Sequence, residues 1–238
     1  MDSTLQERAQ ATRRKVLEAA ADLFATRGYA ATSINDISAR SGRTSGAVYF
    51  HYTNKEGVAL AVVRDRFADW GHLRSRYTAR DVCPLENLVG LSFAVAGSLA
   101  DDPVARAGAR LWAERATIAA PLPDPFGAWT FCATRLLARA RQRGTLSSGV
   151  SPARTAPALV RAFYGVSVLT APLGAHEGAG SGRGAGEGRW RGQIVGERLY
   201  EWWRLVLPAL YVRRGDPGLL ERAARAAVEP DHPLAERA

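Results

Sequence analysis

The sequence predicts an all-α protein, with a small three-helix domain of the helix-turn-helix type followed by a larger helical domain. Apolar residues recur at intervals of three and four over most of the 238 residues, which is the period of an amphipathic helix. Proline and glycine separate these stretches, as they commonly separate helices in globular proteins. No segment shows the strict alternation of apolar and polar residues that predicts a half-buried strand.

The composition is typical of a soluble globular protein, with 47% hydrophobic and 23% charged residues. No apolar run approaches the length of about 18 residues that a membrane span needs. The N-terminus has no apolar signal region, so we expect a cytoplasmic location and no membrane partner. Cys83 and Cys132 lack a C-x-x-C spacing, which favours neither a disulfide framework nor a zinc site. We expect no metal and no cofactor.

The net charge of +9 favours a polyanionic partner, but its distribution weakens that inference. Residues 1–60 contain eight Lys and Arg against six Asp and Glu, a net charge of only +2. The remaining positive charge lies further along the chain. Charge alone therefore does not predict a DNA-binding protein.

The beginning of the chain predicts two helices with clear ends. In residues 8–27 apolar side chains share one face and charged ones the other, and Gly28 ends this helix as C-terminal glycines do. Ser33 is a good N-cap for the second helix, because Asp36 three residues later completes an acidic variant of the capping box. Gly42 ends that second helix.

Two more helix starts follow closely. Thr44 can cap a short third helix, and Asn54 can cap a fourth that has Glu56 in its first turn. The apolar side of the fourth helix consists of Val58, Val62 and Val63. The pattern predicts a compact set of helices in which the third is very short.

The rest of the chain predicts further helices. They correspond to the apolar stretches 60–77, 85–99, 103–119, 124–143, 152–171 and 194–211. The glycine-rich run 174–189 predicts a flexible surface loop, and the tail after residue 213 predicts one weak helix or a frayed end. The expected domains are residues 1–57, residues 58–215 and a tail at 216–238.

The pattern of residues 33–52 predicts two short helices joined by a tight turn. The second helix begins with small residues and ends with aromatic ones. Such a pair is the helix-turn-helix device, whose second helix enters the major groove of DNA. Small residues at its start, here Thr44, Ser45 and Gly46, permit a close approach to the bases. Tyr49 lies about one and a half turns further on, where it can reach a phosphate. Lys55 can reach another phosphate. Spacing alone also allows a helical hairpin of the core, with Tyr49 and Tyr52 as packing residues.

Residues 19–56 resemble the DNA-binding domain of the TetR family of bacterial repressors. The matching positions are Phe24, Gly28, Tyr29, Thr32, Ile37, Gly42, Gly46, Tyr49, Phe50, His51, Tyr52, Lys55 and Glu56. The resemblance implies that five residues contact DNA, namely Thr32, Thr44, Tyr49, His51 and Lys55. The expected partner is a double-stranded DNA operator.

One departure from the family pattern concerns the start of the recognition helix. The family often has an apolar residue followed by Thr-Lys-Gly, whereas this chain has Arg43-Thr44-Ser45-Gly46. The usual lysine is absent at Ser45, and we expect Arg43 to take over its phosphate or base contact. The departure affects which operator sequence the protein recognises. It does not affect how the recognition helix docks on DNA.

A second resemblance lies in the C-terminal part. Residues 101–115 and 121–129 are similar to the γ-butyrolactone receptor branch, which includes receptors for butenolides and methylenomycin-type furans. Members of that branch repress antibiotic or regulatory genes until a small-molecule signalling ligand binds. The resemblance implies the same kind of partner for this chain.

Aromatic residues predict where such a ligand binds. Phe126 and Trp129 are three residues apart and share a helical face, and an indole offers both a flat apolar surface and one N–H donor. A lactone or furan with an alkyl tail needs an apolar slot with one or two polar groups. The expected lining is Phe67, Leu88, Ser92, Trp112, Phe126, Trp129 and Phe163. The alternative is that these rings simply fill the core.

The resemblance also implies a homodimer. The stretches 152–171 and 194–211 are expected to form its interface. Their apolar faces contain Phe163, Tyr164, Val168, Trp202, Leu205, Val206 and Ala209. A two-fold dimer places two recognition helices about one DNA turn apart, or slightly more.

Two other functions compete with this interpretation. An enzyme is disfavoured, because the chain has no G-x-S-x-G, H-E-x-x-H or P-loop motif and no acid pair beside a base. Within the regulators, the alternative is a TetR-like sensor of an antibiotic or multidrug compound. The compounds that release the protein from DNA would separate the two kinds of sensor.

Overall fold

The computed structural model describes residues 2–79, 82–169, 185–212 and 216–228. Within these ranges, only the backbone is described for residues 2–5, 65–74, 79, 100, 101, 125, 168, 169, 185–193 and 228. The described residues form ten α-helices: α1 (Asp2–Arg27), α2 (Ile34–Ser41), α3 (Ser45–His51), α4 (Lys55–Ala79), α5 (Pro84–Asp101), α6 (Pro103–Ala113), α7 (Pro125–Gln142), α8 (Pro152–Leu169), α9 (Ala185–Leu210) and α10 (Leu219–Val228). A short 3-10 turn (Arg115–Thr117) follows α6. The all-α prediction is confirmed, since the extended pairing in these ranges is one bridge between Leu146 and Tyr211.

The chain divides into two compact units. Unit 1 contains Met1–Asp69 and Asp102–Pro123, and unit 2 contains Trp70–Asp101 and Asp124–Ala238. The sequence predicts that the second domain begins at residue 58, which assigns α6 to that domain. The contacts group α6 with unit 1, because Ala107 and Leu111 are fully buried in the same apolar cluster as Phe24.

The core of unit 1 surrounds Phe24 on α1. Val48, the buried residue of α3, belongs to this cluster together with Ile37 of α2. The first turns of α4 add Val58, Val62 and Val63, which are all buried. The short helices α2 and α3 are thus anchored by one or two apolar side chains each.

The helix ends in unit 1 follow the predicted capping residues. The Ser33 hydroxyl accepts the backbone N–H of Asp36, and the Asp36 carboxylate accepts the backbone N–H of Ser33, so the capping box is complete. Gly42 ends α2 in the left-handed region at φ 63°. Thr44 caps α3 through Ala47 N–H, at 3.1 Å. The predicted boundaries of α2 and α3 are confirmed.

Unit 2 contains α5 and α7–α10, and α5 lies among the others. The indole Nε1 of Trp203 on α9 donates to the Ser92 hydroxyl on α5 at 2.8 Å in the interior. The predicted weak tail helix is α10, which packs on α5, and Arg222 of α10 forms an ion pair with Glu86 of α5 at 3.0 Å.

The predicted glycine-rich loop coincides only partly with described residues. Residues 174–184 lie outside the described ranges, while residues 185–189 form the first turns of α9. The loop prediction is wrong for that second part. Each glycine costs a helix only about 1 kcal/mol relative to alanine, which a long helix can tolerate.

Within the described ranges, no single helix has the length and apolar composition to cross a membrane, and the bent pair 84–99 and 103–113 passes that test only by length and composition. The same ranges contain no group of three or more His, Cys, Asp or Glu residues able to hold a metal ion.

Candidate nucleic-acid interface and ligand site

One side of α3 is fixed in the core and the other is exposed. Val48 is fully buried, whereas Tyr49 is 54% exposed and Phe50 is 81% exposed. A Cβ added at Gly46 would find its nearest neighbour, the Thr44 hydroxyl, at 3.9 Å, so the space in front of the first turn is open. The helix therefore presents a small N-terminal end and two rings to its surroundings.

The hydroxyls at the start of α3 are oriented by local hydrogen bonds. The Thr44 hydroxyl accepts Ala47 N–H, which leaves its own proton available to another acceptor. The Ser45 hydroxyl donates to the side-chain amide oxygen of Asn35 on α2 at 3.1 Å. Asn35 is exposed and was not among the predicted site residues, although its amide could contact a base edge from the same surface.

Arg43 lies in the turn between α2 and α3, and its backbone is fixed there. Its N–H donates to Ser38 O at 3.1 Å, and the Ser38 hydroxyl donates to Arg43 O at 2.5 Å. The Arg43 Nε is buried and finds no hydrogen-bond partner among the described residues. The guanidinium thus lies partly against the protein, and a contact with DNA requires the side chain to extend.

Among the five residues implied by the resemblance, Thr32 and Lys55 bond to carbonyls of the turn after α1. Thr32 is 2% exposed and its hydroxyl donates to Gly28 O at 2.8 Å, so its side chain belongs to the turn after α1. The ammonium of Lys55 donates to Tyr29 O at 3.0 Å and lies 4.1 Å from the centroid of the Tyr29 ring. Lys55 remains half-exposed, whereas Thr32 does not reach the surface.

The aromatic end of α3 contains one exposed ring, Phe50, that was not among the predicted site residues. His51 is half-buried, with its ring 5.1 Å from the Phe50 ring in an edge-on arrangement. Phe50 was noted only as a family match, yet it is the most exposed aromatic side chain among the described residues. The sequence could indicate the exposure of Phe50, because Val48 occupies the buried position of the helix and Phe50 lies two residues later.

A hydrogen bond links Tyr29 to Glu56 in the first turn of α4. The Tyr29 hydroxyl donates to the Glu56 carboxylate at 2.8 Å. Burial first, and then this hydrogen bond, raise the pKa of Tyr29 above its usual range. The pKa of Glu56 is lowered by its own backbone N–H and by the tyrosine hydroxyl. The pair is therefore a neutral donor and an anionic acceptor at neutral pH.

Part of the predicted ligand lining comes together in unit 2. The rings of Trp129 on α7 and Phe163 on α8 meet edge-on, with centroids 4.4 Å apart. Phe126 meets Tyr164 in the same way at 4.9 Å. Trp129 is 4% exposed, so these aromatic side chains pack on one another.

The other predicted lining residues are placed differently. Leu88 and Ser92 are buried on α5, and the Ser92 hydroxyl is occupied by Trp203 Nε1 and by Val89 O. Trp112 belongs to unit 1, where the Arg115 guanidinium covers its ring at 4.8 Å. The side chain of Phe67 lies outside the described residues.

An open cavity of about 360 Å³ lies elsewhere in unit 2, between the C-terminal part of α4 and α7. Its lining is Ser75, Thr78, Arg135, Leu136 and Arg139. None of the predicted ligand residues whose side chains are described lines it. Arg139 also donates to Thr78 O at 2.8 Å.

Comparisons with known proteins agree with this architecture. Residues 16–62 match the family described as bacterial regulatory proteins, tetR family, and residues 82–182 match the tetracyclin repressor-like C-terminal domain. The A-factor receptor protein of Streptomyces griseus is 30% identical over 205 residues, which cover 86% of this chain and 66% of that receptor.

Solved structures extend the likeness to the whole fold. CprB of Streptomyces coelicolor, in complex with its operator sequence, has a TM-score of 0.75 and 30% identity, covering 93% of this chain and 99% of that one. A structure described as the molecular basis for control of antibiotic production by bacterial hormones has a TM-score of 0.69 and 38% identity, covering 84% and 98%. The chain therefore belongs to the TetR family of bacterial regulatory proteins, within the γ-butyrolactone receptor branch.

Proposed function

We propose that this chain is a repressor that binds a palindromic DNA operator as a homodimer and leaves it when a small signalling molecule binds. The ligand class is a γ-butyrolactone, butenolide or furan, and the controlled genes serve antibiotic or other secondary-metabolite synthesis. The observation that carries the proposal is the exposed face of α3, with an open N-terminal end at Gly46 and exposed rings at Tyr49 and Phe50.

The chemistry of this face suits the major groove. Thr44 and Ser45 offer hydroxyls to base edges, and the exposed ring of Phe50 offers an apolar contact to a thymine methyl. The Tyr49 hydroxyl and the Lys55 ammonium serve phosphates, which fix the register of the protein on the duplex. Likeness to CprB, whose structure contains its operator, supports the same docking mode.

The test of DNA binding is a mobility-shift titration of a palindromic operator at several salt concentrations. We expect affinity to fall steeply with salt, because each neutralised phosphate releases counterions. The double variant Tyr49→Phe, Lys55→Ala should bind all sequences more weakly. Arg225→Ala, which removes an exposed cation from α10, is the matched control and should bind normally. Undiminished binding by the double variant would contradict the proposal.

The ligand proposal rests on the aromatic cluster of α7 and α8 and on the branch to which the chain belongs. A ligand shifts the equilibrium only by its preference for the DNA-incompetent state, and a 100-fold release needs about 2.7 kcal/mol. Burial of an alkyl tail and one indole N–H donor can together provide this. Trp129→Phe keeps most of the apolar wall and removes the donor.

Titration of synthetic lactones, butenolides and furans against the operator complex tests this assignment. The wild type should dissociate, and Trp129→Phe should bind the operator but need more ligand for release. If none of these compounds releases the wild type at concentrations that release a receptor of the same branch, the ligand class is wrong.

The dimer proposal rests on an exposed apolar stripe of α9. Leu205 is 80% exposed and Ala209 is also exposed, with Trp202 and Val206 half-buried on the same side. Phe163, expected in the interface, packs instead on Trp129 inside unit 2, and Val168 lies outside the described side chains. Leu205→Glu should shift the protein from dimer to monomer in analytical ultracentrifugation, while Arg14→Glu at an exposed position of α1 should not.

A further inference from the structure

The end of α6 contacts the end of α1 through two side chains, which we name the α6 clasp: Arg110 and Glu114. The Arg110 guanidinium donates to Ala25 O at 3.0 Å and to Thr26 O at 2.9 Å. Its Nε donates to the Glu114 carboxylate at 2.9 Å. The other oxygen of Glu114 accepts the backbone N–H of Tyr29 at 2.6 Å. The clasp thus satisfies carbonyls in the last turn of α1, where a cation is also favoured by the helix dipole.

Gly28 allows the clasp to approach this closely. Its φ of 85° is in the left-handed region, and an added Cβ would lie 2.6 Å from a Glu114 oxygen and 2.8 Å from an Arg110 nitrogen. Such distances exclude any side chain without a shift of the neighbours. The glycine and the clasp are therefore parts of one arrangement.

Tyr29 connects the clasp to the start of α4. While its N–H is bound by Glu114, its carbonyl accepts the Lys55 ammonium at 3.0 Å. Its ring lies under the same ammonium at 4.1 Å, and its hydroxyl donates to Glu56 at 2.8 Å. The backbone N–H, the carbonyl and the hydroxyl of Tyr29 thus join it to Glu114 and to the first turn of α4, and the carbonyl also accepts the Thr32 N–H at 3.2 Å.

We propose that Arg110 and Glu114 are positioning residues for DNA binding, which act through Tyr29 to set the location of the Lys55 ammonium. The inference rests on the proposed function, in which Lys55 contacts a phosphate. It also gives a role to residues 101–115, whose similarity to the receptor branch did not by itself assign one to either member of the clasp.

The physical reason is the flexibility of lysine. Its four-carbon stem carries a compact, strongly hydrated charge with many rotamers, and ordering it on a phosphate loses that freedom. A lysine already ordered by a carbonyl and a ring loses less on binding. Disturbing Tyr29 would therefore weaken binding through Lys55, even though loss of the Glu114 carboxylate makes the protein more positive. The electrostatic effect alone would strengthen binding.

A measurement without DNA tests the link directly, because the chain has only two lysines, Lys15 and Lys55. Limited acetylation followed by mass spectrometry gives the ratio of Lys55 to Lys15 modification, and Lys15, exposed on α1, is the internal reference. We expect Glu114→Ala to raise this ratio about threefold or more, since the lysine loses its ordered partner. Glu114→Gln keeps an acceptor for Tyr29 N–H and should give an intermediate ratio.

The matched control removes a different carboxylate of unit 1. Asp22 forms an ion pair with Arg40 at 2.6 Å, and neither residue contacts Tyr29 in the described hydrogen bonds and ion pairs. Asp22→Ala changes the net charge by the same amount and should leave the labelling ratio unchanged. An unchanged ratio in Glu114→Ala overturns the inference.

Operator affinity then tests the consequence in a double-mutant cycle. We expect Glu114→Ala to weaken binding about fivefold in the wild-type background and by less than about twofold when Lys55 is already alanine. Equal losses in both backgrounds would mean that the clasp only supports the fold, and would overturn the inference. A wild type that binds no duplex would overturn the proposed function instead, and the labelling ratio would still decide whether the clasp positions Lys55.

Discussion

The α2–α3 pair in unit 1 and the α7–α8 pair in unit 2 contain aromatic site residues in opposite environments. Tyr49 of α3 is more than half exposed, whereas Trp129 of α7 is buried against Phe163. At the start of α3 the hydroxyls of Thr44 and Ser45 bond to residues three and ten positions away, Ala47 and Asn35. Phe126 and Trp129 of α7, by contrast, pack on rings of α8, a helix that lies across an intervening turn.

This difference shows how the two kinds of site are built. A DNA-reading surface needs side chains directed outward, which local caps and one buried anchor such as Val48 can provide. A small-molecule site needs apolar walls, which only several helices together can form. In unit 2 the same residues thus form both the candidate site and the packing of the unit.

The largest expected effect tests whether Trp129 is part of the core. Trp129→Ala should lower the free energy of unfolding by about 3–5 kcal/mol, because it removes a ring packed on Phe163. Tyr49→Ala should change it by only about 0.5 kcal/mol, because most of that ring faces solvent. Urea unfolding followed by circular dichroism measures both. A small loss for Trp129→Ala would show that the ring lines a wall and does not fill the core.

The next effect compares two glycines at positive φ in unit 1. Gly28→Ala should destabilise the protein by about 2–4 kcal/mol, since a left-handed alanine also collides with the α6 clasp. Gly42 has a φ of 63° and no neighbour within 4 Å of an added Cβ. Gly42→Ala should therefore cost only about 1–2 kcal/mol. Equal losses in urea unfolding would mean that α6 does not approach Gly28 in solution.

The sequence predicts contacts between residues that are close along the chain, but not contacts between residues that are far apart in it. The caps at Ser33 and Thr44 were predictable, because the donor and acceptor are three residues apart. Ser92 was predicted to line a ligand site, but its hydroxyl bonds to Trp203, 111 residues away. Arg110 was not singled out, although it binds α1 carbonyls 84 and 85 residues away. A helical period defines which face is apolar, but not which helix will cover it.

A smaller effect concerns two buried serines of α5. Ser92→Ala removes the acceptor of the Trp203 indole and should cost about 1–2 kcal/mol, because a buried N–H is left without its partner. The Ser98 hydroxyl is buried and has no hydrogen-bond partner among the described residues. Ser98→Ala should therefore be neutral or slightly stabilising. Thermal unfolding of the two variants side by side decides this, and an equal loss for both would contradict the assigned bond.

The smallest effect is the response of both units to acid. The Ser33 hydroxyl and backbone N–H lower the pKa of Asp36 in unit 1, and the Arg222 side chain and Gly218 N–H lower the pKa of Asp216 in unit 2. A carboxyl whose pKa is lower in the folded state stabilises it above the unfolded value, near 3.9, and loses that contribution as pH falls through the folded value. Stability should therefore decline below about pH 4.

Both carboxyls are exposed, so each contributes little to stability. Comparing variants with the wild type is therefore more informative than the pH dependence of the wild type alone. Asp36→Asn and Asp216→Asn should each flatten the decline of the urea midpoint between about pH 5 and pH 3. Ser33→Ala, which removes the main cause of the low pKa of Asp36, should flatten it as Asp36→Asn does. If only Asp216→Asn has an effect, the capping box of α2 contributes nothing in acid. The two units would then differ in their electrostatics as well as in how their sites are built.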